Sequence, residues 1–185
     1  MFRPLRLLGV LLLGLAVGDL YDAPGTDTLR WATWHRLAGI GAALVVVLVE
    51  SVIATYFIGT SRWCREVVET YGLDPAPVRL ASQLKRRAFA AALVGMLTIV
   101  GVVASGGAND PATGRPGTQM WTNYHLAAAI FGTAVIAWSY YVGWQNVRAN
   151  HVIIERIVAQ VGEIRREKGL EAEPAAGRSV TAENR

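Results

Sequence analysis

Two of the three histidines in this 185-residue chain stand in nearly the same surroundings, ninety positions apart. Trp31-Ala32-Thr33-Trp34-His35 returns as Trp121-Thr122-Asn123-Tyr124-His125, each with a Trp four residues before the His and a second aromatic directly before it. Both copies then open a long apolar run. On a helix, positions three, four and seven after a residue share its face. For His35 these are Ala38, Gly39 and Ala42; for His125 they are Ala128, Ala129 and Gly132. Small residues beneath two facing imidazoles leave a gap that a flat macrocycle could occupy. The chemistry this suggests is bis-imidazole ligation of a b-type haem, with iron taking one axial nitrogen from each side between facing helices of a bundle. Arg36, with Arg30 or Arg115 as alternates, would pair with the propionates.

Plainer readings compete. Small residues at this spacing are also how membrane helices approach closely without a ligand. Trp31, Trp34, Trp121 and Tyr124 suit an interfacial aromatic belt, where a histidine can simply be solvated. Zinc is disfavoured, because two histidines without a nearby Cys or carboxylate fall short of three protein ligands; copper stays open. The single Cys64 excludes an internal disulfide. Glu50 is a separate oddity, a charge inside an apolar run, fifteen residues after His35 and so about 22 Å deeper along a helix. A proton or partner-charge site competes there with snorkelling toward the surface. His151 falls outside the repeated pattern and reads as surface. No phosphate-binding glycine loop, nucleophile–base pattern or zinc-protease signature is present, which argues against a soluble-type enzyme.

The elements that must position these groups follow from composition. Apolar residues make up 52% and charged residues 17%, with a positive mean hydropathy of +0.32. The charges cluster and leave long uncharged stretches, the membrane pattern. The net charge of +4 comes from basic residues at helix ends, so anchoring explains it better than nucleic acid does. Residues 1–18 read as a short first span, with a cleaved signal peptide as the alternative. A polar connection over 19–34 leads to a second span from His35 to about Thr60, continuing as a cytoplasmic helix to Gly72. Asp74-Pro75 reads as an N-cap with proline at the first helical position, and a short helix runs to the basic Lys85-Arg86-Arg87. Ala88 to Gly106 holds nineteen residues without a charge and is the third span. A second polar connection, 107–117, precedes a fourth span from near His125 to Val147.

Beyond Arg148 the helix should leave the membrane. Val147, Ile154 and Val161 alternate with Asn150, Ile157 and Ile164 as a heptad seam with one polar core position. It suits packing against the Trp63–Tyr71 extension or against a second copy. The tail over 171–185 has a disordered composition. Of the eighteen basic residues, all but Arg30, Arg36 and Arg115 fall on one side, which puts both termini in the cytoplasm. The preference for arginine over lysine fits a GC-rich bacterial gene, and so a bacterial cytoplasmic membrane.

The arrangement resembles one half of haem A synthase. His35-Arg36-Leu37-Ala38-Gly39 is similar to that family's His-Arg helix opening, and His125-Leu126-Ala127-Ala128-Ala129 to its His-Leu-Ala opening. The resemblance covers about residues 1–147. It implies a four-helix bundle whose second and fourth helices each begin with a haem-facing histidine, here His35 and His125. The family's catalytic half carries a Glu three residues before the first His; this chain has Ala32, and it lacks the family's paired loop cysteines. Haem binding is therefore implied more firmly than oxidation of a haem methyl group.

The expected fold is all-α: a four-helix transmembrane bundle of two tandem hairpins, with repeats at about 1–60 and 88–147. A helical loop over 61–87 and a helical extension over 148–170 reach into the cytoplasm. The leading function is a haem b protein for electron transfer or haem handling. The rival is a haem-free assembly module that docks a membrane-complex partner or a second copy through 62–71 and 148–168.

Overall fold

The computed structural model describes residues 28–170, which are helical apart from short turns, with no strand among them. The expected first span over 1–18, the connection up to residue 27 and the tail from 171 lie outside the described residues. Three long helices carry the rest: α1 (Thr28–Tyr71), α2 (Ala76–Asn109) and α3 (Thr122–Glu167), with two short 3-10 turns at Pro111–Thr113 and Thr118–Trp121. Among the described residues three candidate spans are present, at the places of the second, third and fourth of the four expected. All three helices are long and apolar enough to cross a membrane.

α1 is 44 residues, about 66 Å at ~1.5 Å per residue, roughly twice a ~30 Å hydrocarbon core. It begins seven residues before His35, in what the sequence suggests is a loop. No Gly or Pro interrupts Thr28 to His35, so nothing stops the helix from extending backward. Its end falls where expected: Gly72 adopts φ +64°, and Leu73 N–H reaches back to the Val68 carbonyl at 3.0 Å. Asp74 Oδ1 then accepts the Ala76 amide at 2.9 Å, but Pro75 holds the N-cap position and the helix starts at Ala76, one residue later than the Asp74-Pro75 signal suggests.

The expected break before Ala88 is absent. α2 runs unbroken through Lys85-Arg86-Arg87, since basic residues at a membrane boundary exposed to water cost a helix little.

α2 packs along both α1 and α3, which touch each other less. α1 and α3 run parallel, meeting at a constant offset of ninety: His35 faces His125, Ile53 lies against Gly143, and Thr60 is bonded by Asn150. The end of the bundle holding the histidines is the histidine end. The other, carrying Arg62, Lys85–Arg87 and Arg165, is the basic end.

Two apolar clusters divide the interior. Val46, Ile99 and Ile136, with Tyr140 against them, form a layer across the middle of the bundle. Towards the basic end Phe57, Cys64 and Val68 of α1 meet Ala81, Leu84 and Ala88 of α2 and Ile153 and Ile157 of α3. The heptad seam is thus used inside the chain, against the Trp63–Tyr71 extension. It is rotated from the sequence reading: Asn150, Ile153 and Ile157 are buried, while Ile154 and Val161 lie at the edge.

Around the middle the outward residues are apolar. Leu44, Leu48 and Val52 of α1, Leu93 and Leu97 of α2, and Phe131 and Trp138 of α3 are all more than half exposed or nearly so. A band of large exposed apolar side chains encircling a molecule is what a lipid solvent calls for. Helix contact inside that band relies on small residues. Ala88, Ala91, Ala92 and Gly95 line the buried face of α2 and let the neighbouring backbones come close.

Candidate functional site

The His35 and His125 rings lie 6.2 Å apart between centroids, with their planes at 87°. The parallel register of α1 and α3 brings them together, and α2 holds one of them in place. His125 is buried, and its ring rests on Gly106: a Cβ there would stand 3.0 Å from Cε1. Ser105 Oγ lies 3.1 Å from His125 Nδ1 and 2.7 Å from the Val102 carbonyl oxygen. The hydroxyl has one proton, and the carbonyl can only accept it. With its proton on the carbonyl Ser105 accepts from an Nδ1–H ring; with the other tautomer it donates to Nδ1 instead.

The connection between α2 and α3 is clasped over this pair. Arg36 Nη1 is 3.0 Å from Asp110 Oδ2, and Arg36 Nε donates to the Ala32 carbonyl at 3.1 Å. Thr122 Oγ1 donates to Asn109 Oδ1 at 2.8 Å, tying the start of α3 to the end of α2. The arginine expected to meet a propionate is thus engaged by a carboxylate of the chain itself. Arg115 sits exposed in the same connection, and the Arg30 side chain is outside the described ones.

The six small residues do not form one shared face. Ala42 is buried below His35, Ala38 and Gly39 are half-buried, and a Cβ at Gly39 would meet nothing within 4 Å. Ala128 and Ala129 are half-buried near His125. Gly132, by contrast, is turned to α2: a Cβ there would stand 2.6 Å from Val102 Cγ2 and 3.3 Å from Thr98 Cγ2. It serves close helix contact, and any gap between the histidine helices is confined to the level of Ala38 and Gly39. Trp34, Trp121 and Tyr124 are exposed, as belt residues should be. His151 is exposed beside Glu155 at 3.1 Å, a surface pair.

Glu50 is not snorkelling. It is 1% exposed, wedged between Gly95 of α2 and Ser139 of α3, whose Oγ lies 2.5 Å from Glu50 Oε1. A Cβ at Gly95 would stand 2.5 Å from that same oxygen, so only glycine leaves room for the carboxyl. Lower in the bundle, Asn150 is fully buried and its Nδ2 donates to Tyr56 Oη at 3.2 Å and Thr60 Oγ1 at 3.1 Å.

Sequence reasoning misses Ser105, Gly106, Ser139, Gly95 and Tyr140. A lone Ser or Gly in an apolar run carries no signal of its own. One signal is available, though: adding ninety to Glu50 gives Tyr140 and to Thr60 gives Asn150, the same step that pairs the histidines.

Among the described residues no three His, Cys, Asp or Glu side chains cluster to hold a metal ion. His35 and His125 are the two imidazoles at this end among the described residues. No protein-family model, curated protein or solved structure matches this chain.

Proposed function

We propose that this is an integral membrane protein of the bacterial cytoplasmic membrane in which His35 and His125 supply the two axial ligands of one b-type haem, for electron transfer or haem handling. The separation of the two rings carries the reading. An imidazole bound to a metal at about 2.0 Å, as to zinc, has its centre roughly 3 Å from the ion. Two imidazoles sharing one ion therefore want centres roughly 6 Å apart, and these are at 6.2 Å.

The surroundings fit the group. With Nδ1 as donor to Ser105, His125 takes the outer-shell arrangement that orients a ligating histidine and raises its basicity. The open space at Gly39 gives an edge to a planar ring at that level. A bound haem would supply one-electron redox chemistry; His35 and His125 would hold it, and Ser105 would orient the His125 ring. The Ala32 position leaves no carboxyl three residues before His35, so haem handling or electron transfer is favoured over methyl oxidation. The orientation follows the basic residues, with the basic end in the cytoplasm and the histidine pair near the outer face.

The test is absorbance of the purified protein expressed with ample haem. A Soret band that shifts on reduction is expected in the wild type, and its loss in both His35→Ala and His125→Ala. A colourless wild type, or a band that survives both substitutions, rules the reading out.

The haem-free docking alternative draws on a different observation. An open groove of about 540 Å³ runs along α1, lined by Val52, Tyr56, Gly59, Thr60 and Trp63 among others. Of the docking segments 62–71 and 148–168 only Trp63 borders this groove, and docking through them would use their outward faces, because the seam between them is filled.

A further inference from the structure

Glu50 poses a question of protonation that its contacts and surroundings address. Ser139 Oγ lies 2.5 Å from Glu50 Oε1 and 2.8 Å from the Ile136 carbonyl oxygen. Two oxygen–oxygen contacts inside hydrogen-bond range need two protons, and the serine owns one. The carbonyl has none to give, so both contacts are full hydrogen bonds only with a proton on Glu50; with an ionised carboxyl Ser139 donates to Oε1 and the Ile136 contact is a close approach within its own turn.

The surroundings favour that proton. Against the carboxyl, α2 presents Ala91, Ala92, Gly95 and Ile99, with no charged group. α3 presents Ser139 and one titratable group, Tyr140, while α1 adds none of its own at this level. With no cation among the described residues facing it, an ionised Glu50 would be a bare charge in an apolar interior, which folded proteins avoid.

A second observation concerns the buried polar atoms between this acid and the basic end, which lie beside the apolar cluster around Phe57 and Ile157. Among the described residues, the buried side-chain atoms without a hydrogen-bond partner are Glu50 Oε2, Tyr140 Oη, Asn150 Oδ1 and Ser61 Oγ. They are not scattered. All four come after Val46 on α1 or Ile136 on α3, and so lie from the apolar layer toward the basic end. Asn146, also buried, stands between Tyr140 and Asn150 on the same helix. Buried polar atoms that lack a protein partner are ordinarily served by ordered water. Toward the histidine end, Val46, Ile99 and Ile136 are each under 5% exposed and contribute no polar side chain.

We propose that Glu50 is a proton-holding site near the middle of the membrane, loaded from the basic end through a water-bridged file past Ser61, Asn150, Asn146 and Tyr140, and sealed from the histidine end by Val46, Ile99 and Ile136. Loading forms an O–H bond on a Glu50 oxygen while a hydronium ion at the basic end becomes water. Unloading reverses this, and no electron moves. The proposal stands whether or not the histidines hold a haem.

Infrared difference spectroscopy on the full-length protein in lipid vesicles, exchanged from light to heavy water at neutral pH, tests it. The carbonyl stretch of a protonated carboxyl is expected in the wild type, shifting promptly on exchange, and missing from Glu50→Gln. Ser139→Ala, which keeps the acid and removes its neighbour, should move that band in position. Ser61→Ala should keep the band and slow its shift. A wild type lacking the band, or a band that survives Glu50→Gln, overturns the protonated site. A wild-type band that resists heavy water for hours, or a shift as fast in Ser61→Ala as in the wild type, overturns the inlet.

Discussion

The two polar sites in this bundle use one device. A helix serine sits three residues after a carbonyl that takes its proton, and its lone pair then faces a titratable group on another helix: Ser105 faces His125, and Ser139 faces Glu50. In each case the serine can receive a proton from that neighbour once its own proton is given to the carbonyl. Ser105→Ala removes the hydroxyl that faces His125 Nδ1, while leaving both imidazoles present. If the histidines ligate a haem, this substitution should weaken its retention by about 10–100-fold, the usual cost of losing an outer-shell partner. The measurement is a haem titration of the apoprotein followed at the Soret band. Retention equal to the wild type would mean that Ser105 does not orient the ligand. His35, His125 and Glu50 stand out in the sequence because histidine and glutamate are rare in apolar runs. The serines do not, because a hydroxyl satisfied by its own helix is common there and only a neighbouring helix gives it a second role.

At the scale of the element, the helices are longer than the sequence pattern suggests because nothing breaks them. Residues 28–34, which read as part of a connection, and the basic Lys85-Arg86-Arg87, which read as the end of a short helix, carry no stop signal, and the true stops are Gly72 and the Asp110–Gly117 connection. The heptad reading is right in kind and rotated in detail. Ile157 is fully buried while Val158 beside it is 53% exposed. Ile157→Ala should cost about 2–5 kcal/mol by opening a cavity among Phe57, Cys64 and Leu84. Val158→Ala should stay within roughly 0.5 kcal/mol. Denaturant unfolding in detergent compares them, and equal costs would show that the two residues share one environment. Periodicity cannot separate such neighbours, since which stripe is buried depends on where two other helices lie.

For the whole molecule, length and composition point to a membrane-type helical protein, and the distribution of arginines is the basis of the orientation proposed for it. The orientation has a direct check. Cys64 is fully buried, so the native thiol should remain silent toward a membrane-impermeant maleimide. Ala112→Cys and Glu163→Cys place exposed thiols at opposite ends. The first should label in intact cells or right-side-out vesicles, and the second only in inverted vesicles. Labelling of both from one side would refute a bundle spanning the membrane with these ends apart.

What the sequence determined by itself is the helical class, the apolar spans, the positions of His35, His125 and Glu50, and the ninety-residue offset at which α1 and α3 turn out to meet. These are matters of composition and spacing, and they survive without knowing any neighbour. What only the tertiary structure decided is which small residues face which helix, that Arg36 is held by Asp110, and that the Glu50 carboxyl is buried against Ser139 over Gly95. Those depend on α2 lying between the other two helices. No periodicity within a single helix records which neighbour fills each of its faces, and the proton counts at both sites exist only once three helices share one space.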